Sequence, residues 1–406
     1  MRNTETVQTP DPPYYVKALA LGIPAILLGL QLSGWVFILP AIVNGHSDFR
    51  QLYTAGYMAR AGQRHSLYDY QAQMAFQNSL VGSEQVALPF NHLAYEVLLF
   101  APLSFLPYRI AFATFLAINL LLLGLSYRLL RPQLDRLAQI YRWLPAVMFI
   151  SFLPVGTALM QGQDSILLLT LIAGAAYFLD RKRDAAAGIL LGLGSFKFQI
   201  VVPIALLFFL CRRRSFAAGF VFSAALAGGV SLWLVGLKQV LHYSDSLLSM
   251  SVQSTALDQL KYGINPIFMA NLRGLVYGLL GSVLPQSWTQ VITLIASAAL
   301  FLWAGLRLRA RGWKSDIMTV AVVVAVAVSY HLYIHDMSVL LVPILLAVDR
   351  FAEAETSGHL ADQWALRGAA AMFAAPGLMS FLPLHFYLVC LPLLGFLYAL
   401  GRSTRL

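Results

Sequence analysis

From Val16 to Leu39 the chain carries a single charge, Lys17, and further apolar stretches follow at short intervals to the C-terminus. A run of ~20 apolar residues is the length that crosses a bilayer, and a backbone in hydrocarbon must satisfy its hydrogen bonds within itself. Helices are therefore expected near residues 16–39, 93–127, 143–159, 164–180, 186–196, 198–211, 215–236, 283–306, 316–330, 337–349, 367–382 and 384–400. The second of these is interrupted between Pro102 and Pro107. Soluble domains carry roughly 25% charged residues. Here 11% are charged and 59% hydrophobic, so the 406 residues are predicted to form one all-α polytopic membrane domain, residues 1–406, of twelve transmembrane or partly spanning helices. The first run lacks a basic n-region and a small-residue cleavage site, and reads as a retained helix rather than a signal peptide.

The formal net charge of +10 resides in short clusters between apolar runs, such as Arg181 to Arg183 and Arg212 to Arg214. That pattern reports topology and not a nucleic-acid partner. Placing both termini in the cytoplasm puts twenty of the 28 basic residues inside, as the positive-inside rule asks. Two long extracytoplasmic stretches follow from this, residues 41–91 and 236–284. Both carry apolar residues at helical spacing, such as Leu52, Ala55 and Met58 or Leu247, Leu248 and Val252, and are expected as helices along the membrane interface. Cys211 and Cys390 are the only cysteines, too few for a disulfide framework or a thiolate zinc site.

Directly after the first run lies Ser47-Asp48-Phe49-Arg50, followed by Tyr53-Thr54-Ala55-Gly56. A carboxylate at a membrane exit can face water on one side and a lipid-borne substrate on the other, which makes Asp48 a candidate for chemistry. Asp48 also suits the N-cap of a helix beginning at Phe49, and the two roles are compatible. The stretch between Arg183 and Arg212 is too short for two full spans, which need ~40 residues. A hairpin of short helices is expected there, with its tip at Ser195 to Gln199 inside the membrane thickness. Lys197 at that depth is costly unless partnered, and becomes a functional candidate; a lysine snorkelling to the outer interface is the plain alternative.

The outer ends of the helices collect His46, Asp48, Arg50, Asn91, His92, Glu96, Gln161, Gln163, Asp164, Lys197, Gln199, Asn265, His331, His335 and Asp336. Converging on one cavity, such a set can bind a phosphate through Lys197 and Arg50. It can hold sugar hydroxyls through Gln161, Gln163, Asn91 and His92, and remove a proton with Asp48 assisted by His335. His331 and His335 would share a helix face at i,i+4, but no His-Glu-x-x-His pattern accompanies them, and a lined cavity is the better reading than a metal. No metal and no cofactor is expected. Gly188 to Gly194 has no preceding strand and reads as a small-residue packing face instead of a nucleotide loop. No Gly-x-Ser-x-Gly turn supports a hydrolase.

These pieces resemble glycosyltransferase family 87. The resemblance rests on Ser47-Asp48-Phe49, Tyr53 to Gly56, Gly62 to Asp69, Ala101-Pro102-Leu103 to Pro107, Gln161-Gly162-Gln163-Asp164-Ser165, Gly188 to Lys197, and the region from His331 to His335. Together they span most of the chain from Ser47 to Pro343. The family usually has Pro after this lysine, where Phe198 stands here, and commonly Asn where Asp164 stands. The resemblance implies a C-type glycosyltransferase fold with an extracytoplasmic site, in a bacterial inner membrane. It implies inverting transfer of a mannose-like hexose from a polyprenyl-phosphate-linked donor to a lipid or glycan acceptor. Asp48 then maps onto the catalytic base of the first outer loop and His335 onto a histidine of a later one, while Tyr53 and His331 fall among the substrate-facing positions. A secondary transporter or a lipid flippase is the alternative; a transporter would be expected to show two-fold sequence symmetry, which is not found.

Overall fold

In a computed structural model, residues 14–84, 86–252, 264–311, 317–352 and 359–403 are described. Part of the second expected outer stretch, residues 253–263, lies outside them. Each of the expected apolar stretches contains helix, and no strand occurs among the described residues. Five helices are long and apolar enough to cross a membrane: Lys17–Val43, Tyr108–Gln133, Arg214–Val235, Gln286–Ala310 and Pro383–Arg402. The number rises to seven if each of two bent pairs is one span. The chain is a multi-pass membrane protein.

Burial separates the helices into two kinds. Ile317–Val328 is apolar on every face and almost wholly buried, as a helix without a polar stripe must be when it has protein on all sides. Ser165–Asp180 and Phe198–Leu210 join it in the main core. Gln286–Ala310, by contrast, turns most of its surface outward, with Trp288, Val291, Leu294 and Ile295 exposed. In a bilayer that surface meets lipid.

Two expectations about individual helices are corrected. The stretch 143–159 is not one helix: Leu144–Ser151 and Leu153–Gln161 meet at a 53° bend. Pro154 has no N–H to continue the first helix and fits the first turn of the second. The expected hairpin around Ser195 is an open corner, with Asp184–Leu193 and Ser195–Leu210 bent by 67°. Its first limb packs instead on Arg214–Val235 through glycines. A Cβ on Gly188 would stand 2.0 Å from the Phe216 carbonyl oxygen, and one on Gly192 2.1 Å from Ser223 Oγ. Small residues let two helices approach this closely.

The first outer stretch is more than a surface layer. Phe49–Arg60 buries Phe49, Leu52 and Tyr53 in a second core with Phe100, Tyr108, Phe112 and Phe115. The Phe49 ring stacks on Phe115 at 5.3 Å. This anchors the start of the helix, and with it Asp48, to the first turns of the Tyr108–Leu130 span.

Candidate active site

Three segments meet around Asp48. The first is the start of Phe49–Arg60. Asp48 occupies the N-cap position, but its side chain makes no capping hydrogen bond. Its carboxylate accepts instead from Gln163 Nε2 at 2.7 Å, and its backbone N–H donates to Gln161 Oε1 at 3.3 Å. The second segment is the elbow Gln161-Gly162-Gln163-Asp164 between two helices. Gly162 adopts φ +60°, and a Cβ there would stand 2.7 Å from the Phe49 Cβ, so only glycine fits both the turn and the contact. Gln161 and Gln163 thereby flank the elbow and both reach Asp48.

The third segment runs from Ser329 to Leu340. It is irregular up to Tyr333 and then forms a 3-10 helix, Ile334–Leu340, whose capping box is closed by the Asp336 side chain on the Tyr333 N–H. His335 is nearly buried, and its Nδ1 lies 3.8 Å from Asp48 Oδ2; Nε2 lies 3.6 Å from Asp336 Oδ2. Asp48, with 27% of its side chain accessible, is the open member of this group.

Behind Asp48 runs a buried network of charges. Lys197 Nζ, at the corner of the bent pair, contacts Asp336 Oδ1 at 2.9 Å, Asp164 Oδ1 at 3.1 Å and Gln163 Oε1 at 3.4 Å. Ser165 Oγ donates to Asp336 Oδ1 at 3.1 Å. His92 Nδ1 lies 3.0 Å from Asp164 Oδ2 and 2.5 Å from Glu96 Oε2. Burial disfavours the charged His92 ring, but Glu96 and Asp164 outweigh it and raise its pKa to about 10. Burial pushes the Glu96 carboxyl up to about 8 against the pull of His92. In the resulting state two cations, His92 and Lys197, face two anions, Asp164 and Asp336, and the buried charge cancels.

His92, Glu96 and Asp164 place ligand atoms within 4.8 Å of one another, a spacing that could hold a metal ion. Lys197 beside Asp164 and the bond between His92 and Glu96 already supply the charge and the donors that a cation would replace. The trio is an ion-pair network on those grounds. His331 and His335 do not share a helix face, because the chain between Ser329 and Tyr333 is not helical. His331 packs edge-on against the Tyr333 ring at 4.8 Å.

Several predicted site residues have other partners. Arg50 is buried and donates to Gln77 Oε1 at 3.1 Å, Asn78 Oδ1 at 2.9 Å and the Gly82 carbonyl. It ties Phe49–Arg60 to the end of Tyr70–Leu80 and stands apart from the Asp48 group. Tyr53 donates to the Leu106 carbonyl at 2.9 Å inside the second aromatic core. Lys197 donates to Asp336 Oδ1 and Gln163 Oε1 and pairs with Asp164, so its charge is engaged within the network. Gln161 and Gln163 spend amide groups on Asp48. Asn91 is half-buried, and its carbonyl accepts from Tyr243 at 3.2 Å. Arg273 was not among the residues singled out from the sequence: its position on the short helix Leu272–Leu280 carried no motif, and only its burial marks it.

The family model of glycosyltransferase family 87 matches residues 96–331. No curated protein and no solved structure matches the chain. The matched stretch includes Glu96, the Gln161 to Ser165 elbow and Lys197, and ends before His335; Asp48 precedes it.

Proposed function

The chain belongs to glycosyltransferase family 87, and from that premise we propose that it transfers a mannose-like hexose from a polyprenyl-phosphate donor to a lipid or glycan acceptor, with Asp48 as general base. The observation that carries the reading is the Asp48 carboxylate itself. It stands at a helix N-cap yet gives the helix no bond, is oriented by Gln163 and keeps 27% of its side chain accessible. An acceptor hydroxyl is a poor nucleophile at neutral pH, and a carboxylate within ~3 Å can take its proton as the new bond forms. The acceptor oxygen bonds to the anomeric carbon, and the bond from that carbon to the phosphate oxygen breaks. Its electron pair leaves with the phosphate, and the hydroxyl proton passes to Asp48. One displacement inverts the anomeric centre.

His335 is placed to support the Asp48 carboxylate from 3.8 Å as it gains and loses its proton. Lys197 we assign to positioning: by holding Asp164, Asp336 and Gln163 it fixes the groups that fix Asp48 and His335. The proposed location is a bacterial inner membrane with the site extracytoplasmic and the termini cytoplasmic, as the charge distribution favours. A transporter would be expected to show two-fold sequence symmetry, which is not found. The test is transfer of label from a panel of radiolabelled polyprenyl-phosphate sugars to membrane lipid by the purified chain, with Asp48→Asn alongside. Transfer that falls about 10³-fold in a folded variant supports the base, a drop within the range for a lost general base. Equal transfer by both proteins would remove Asp48 from the mechanism.

A further inference from the structure

A cavity of about 320 Å³ lies against the start of the Ser329 to Leu340 segment, with Tyr330 in its lining. Arg273, Asn265, Gln290, Thr289, Thr293 and Tyr330 contribute its polar lining. Arg273 is 6% exposed. Its Nη1 donates to the Tyr330 carbonyl at 3.0 Å, and the guanidinium lies 4.0 Å from the Tyr330 ring centroid. No carboxylate among the described residues pairs with it. A guanidinium has five N–H donors, so most of those on Arg273 remain for a ligand. A buried cation without a counter-charge is costly, and the protein keeps one where an anion completes it.

The cavity has hydroxyl groups as well as a guanidinium in its lining. Thr289 and Thr293 are buried, and their hydroxyls donate to backbone carbonyls one turn earlier or less, at 2.8 and 2.7 Å. Their oxygens remain as acceptors, which a phosphate cannot use and a neighbouring hydroxyl can. Both belong to Gln286–Arg311, whose opposite face carries exposed Trp288, Val291 and Ile295, so a lipid tail could stay in the bilayer beside the cavity. The wall is shared with the candidate active site. Tyr330 precedes His331, and the Tyr333 ring lies 6.0 Å from that of His335 and feels the charges of both Asp48 and Arg273.

We propose that this cavity is a subsite for a lipid-borne phosphate ester, held by Arg273 through its guanidinium fork. The proposal rests on the glycosyltransferase reading for its relevance to turnover, and it supplies the phosphate ligand that Lys197 and Arg50, both engaged elsewhere, do not. Such a phosphate could belong to the donor or to a phospholipid acceptor. Binding separates these from each other and from the enzymatic reading. The purified full-length chain in a maltoside detergent, which carries no phosphate, is titrated with undecaprenyl phosphate, undecaprenol and phosphatidylinositol.

A phosphate-bearing lipid is expected to bind at least tenfold tighter than undecaprenol, and Arg273→Gln to remove that preference. Dependence on Arg273 for undecaprenyl phosphate assigns the donor, and dependence for phosphatidylinositol the acceptor. Arg273→Lys, which keeps the charge and the stem but not the fork, is expected to bind three- to tenfold more weakly and serves where the glutamine variant does not fold. A phosphate preference unchanged in both variants, or absent from the wild type, overturns the subsite. Arg273-dependent phosphate binding by a wild-type protein that transfers no sugar would retire the enzyme and keep the subsite.

Discussion

Asp48 illustrates what a residue's position in the sequence can and cannot reveal. Its place after an apolar run and before a helix was legible, and so were both roles such a place permits. What the sequence does not show is where the side chain goes: the carboxylate turns away from the helix to Gln163 and His335, residues more than one hundred positions away. His335→Gln, which keeps much of the shape, is expected to lower transfer by about 10- to 100-fold, less than Asp48→Asn, because it supports the base without replacing it; the check is kcat with KM measured separately. Lys197 and Arg50 show the opposite limit. Both were expected to bind a phosphate, but sequence does not say which carboxylates or amides will engage them. His92 and Glu96 add a pH prediction. Both pKa values are raised in the folded protein, from 6.5 to about 10 and from 4.5 to about 8. The folded state therefore holds these protons more tightly than the unfolded one, and stability falls as pH rises. For His92 the stabilisation is complete below about 6.5 and is lost as pH passes through about 10. The thermal midpoint in detergent is expected to decline between pH 7 and 10, and His92→Gln to flatten that decline; a midpoint that rises over this range would contradict the network.

At the scale of elements, apolar length located the long apolar helices, whereas the angles between limbs were hidden. Pro154 marked a break at Phe152 that hydropathy alone passes over, and Gly194 with Ser195 marked a corner that charge clusters on either side made look like a hairpin. Small residues carried the more useful signal. Gly188 and Gly192 set the crossing with Arg214–Val235, and Gly162 sets the elbow that aims two glutamines at one carboxylate. These make separable predictions. Gly162→Ala forces a side chain into φ +60° and against Phe49, at a cost of about 1–2 kcal/mol. It should reduce transfer more than its loss of thermal stability explains, because Gln161 and Gln163 move with it. Gly188→Ala drives a Cβ into the Phe216 carbonyl and should lower the thermal midpoint. Gly228→Ala, in the same bundle with nothing within 4 Å, should leave it unchanged or raise it. Equal midpoints for the last two variants would show that the helix crossing tolerates a methyl group.

Over the whole molecule, the charges and the cavities divide between two ends. Arg131, Arg136, Lys182, Arg183, Arg213 and Arg350 border or adjoin one cavity of about 1660 Å³, while Asp48, His335 and Arg273 lie at the other end of the same helices. The positive-inside rule then makes a claim about sides that distances within the protein do not test. On the proposed topology His46, whose side chain is 58% accessible beside Asp48, faces outward from the cytoplasm, and Lys182, in the turn between Ser165–Asp180 and Asp184–Leu193, faces inward. With Cys211 replaced by serine and Cys390 buried, a single engineered cysteine reports its own side. His46→Cys is expected to react with a membrane-impermeant maleimide in intact cells, and Lys182→Cys only after the membrane is opened. The reverse pattern would place Asp48 in the cytoplasm, where a base serving an outward-facing lipid-linked donor has no substrate. It would leave the fold intact while removing the proposed reaction.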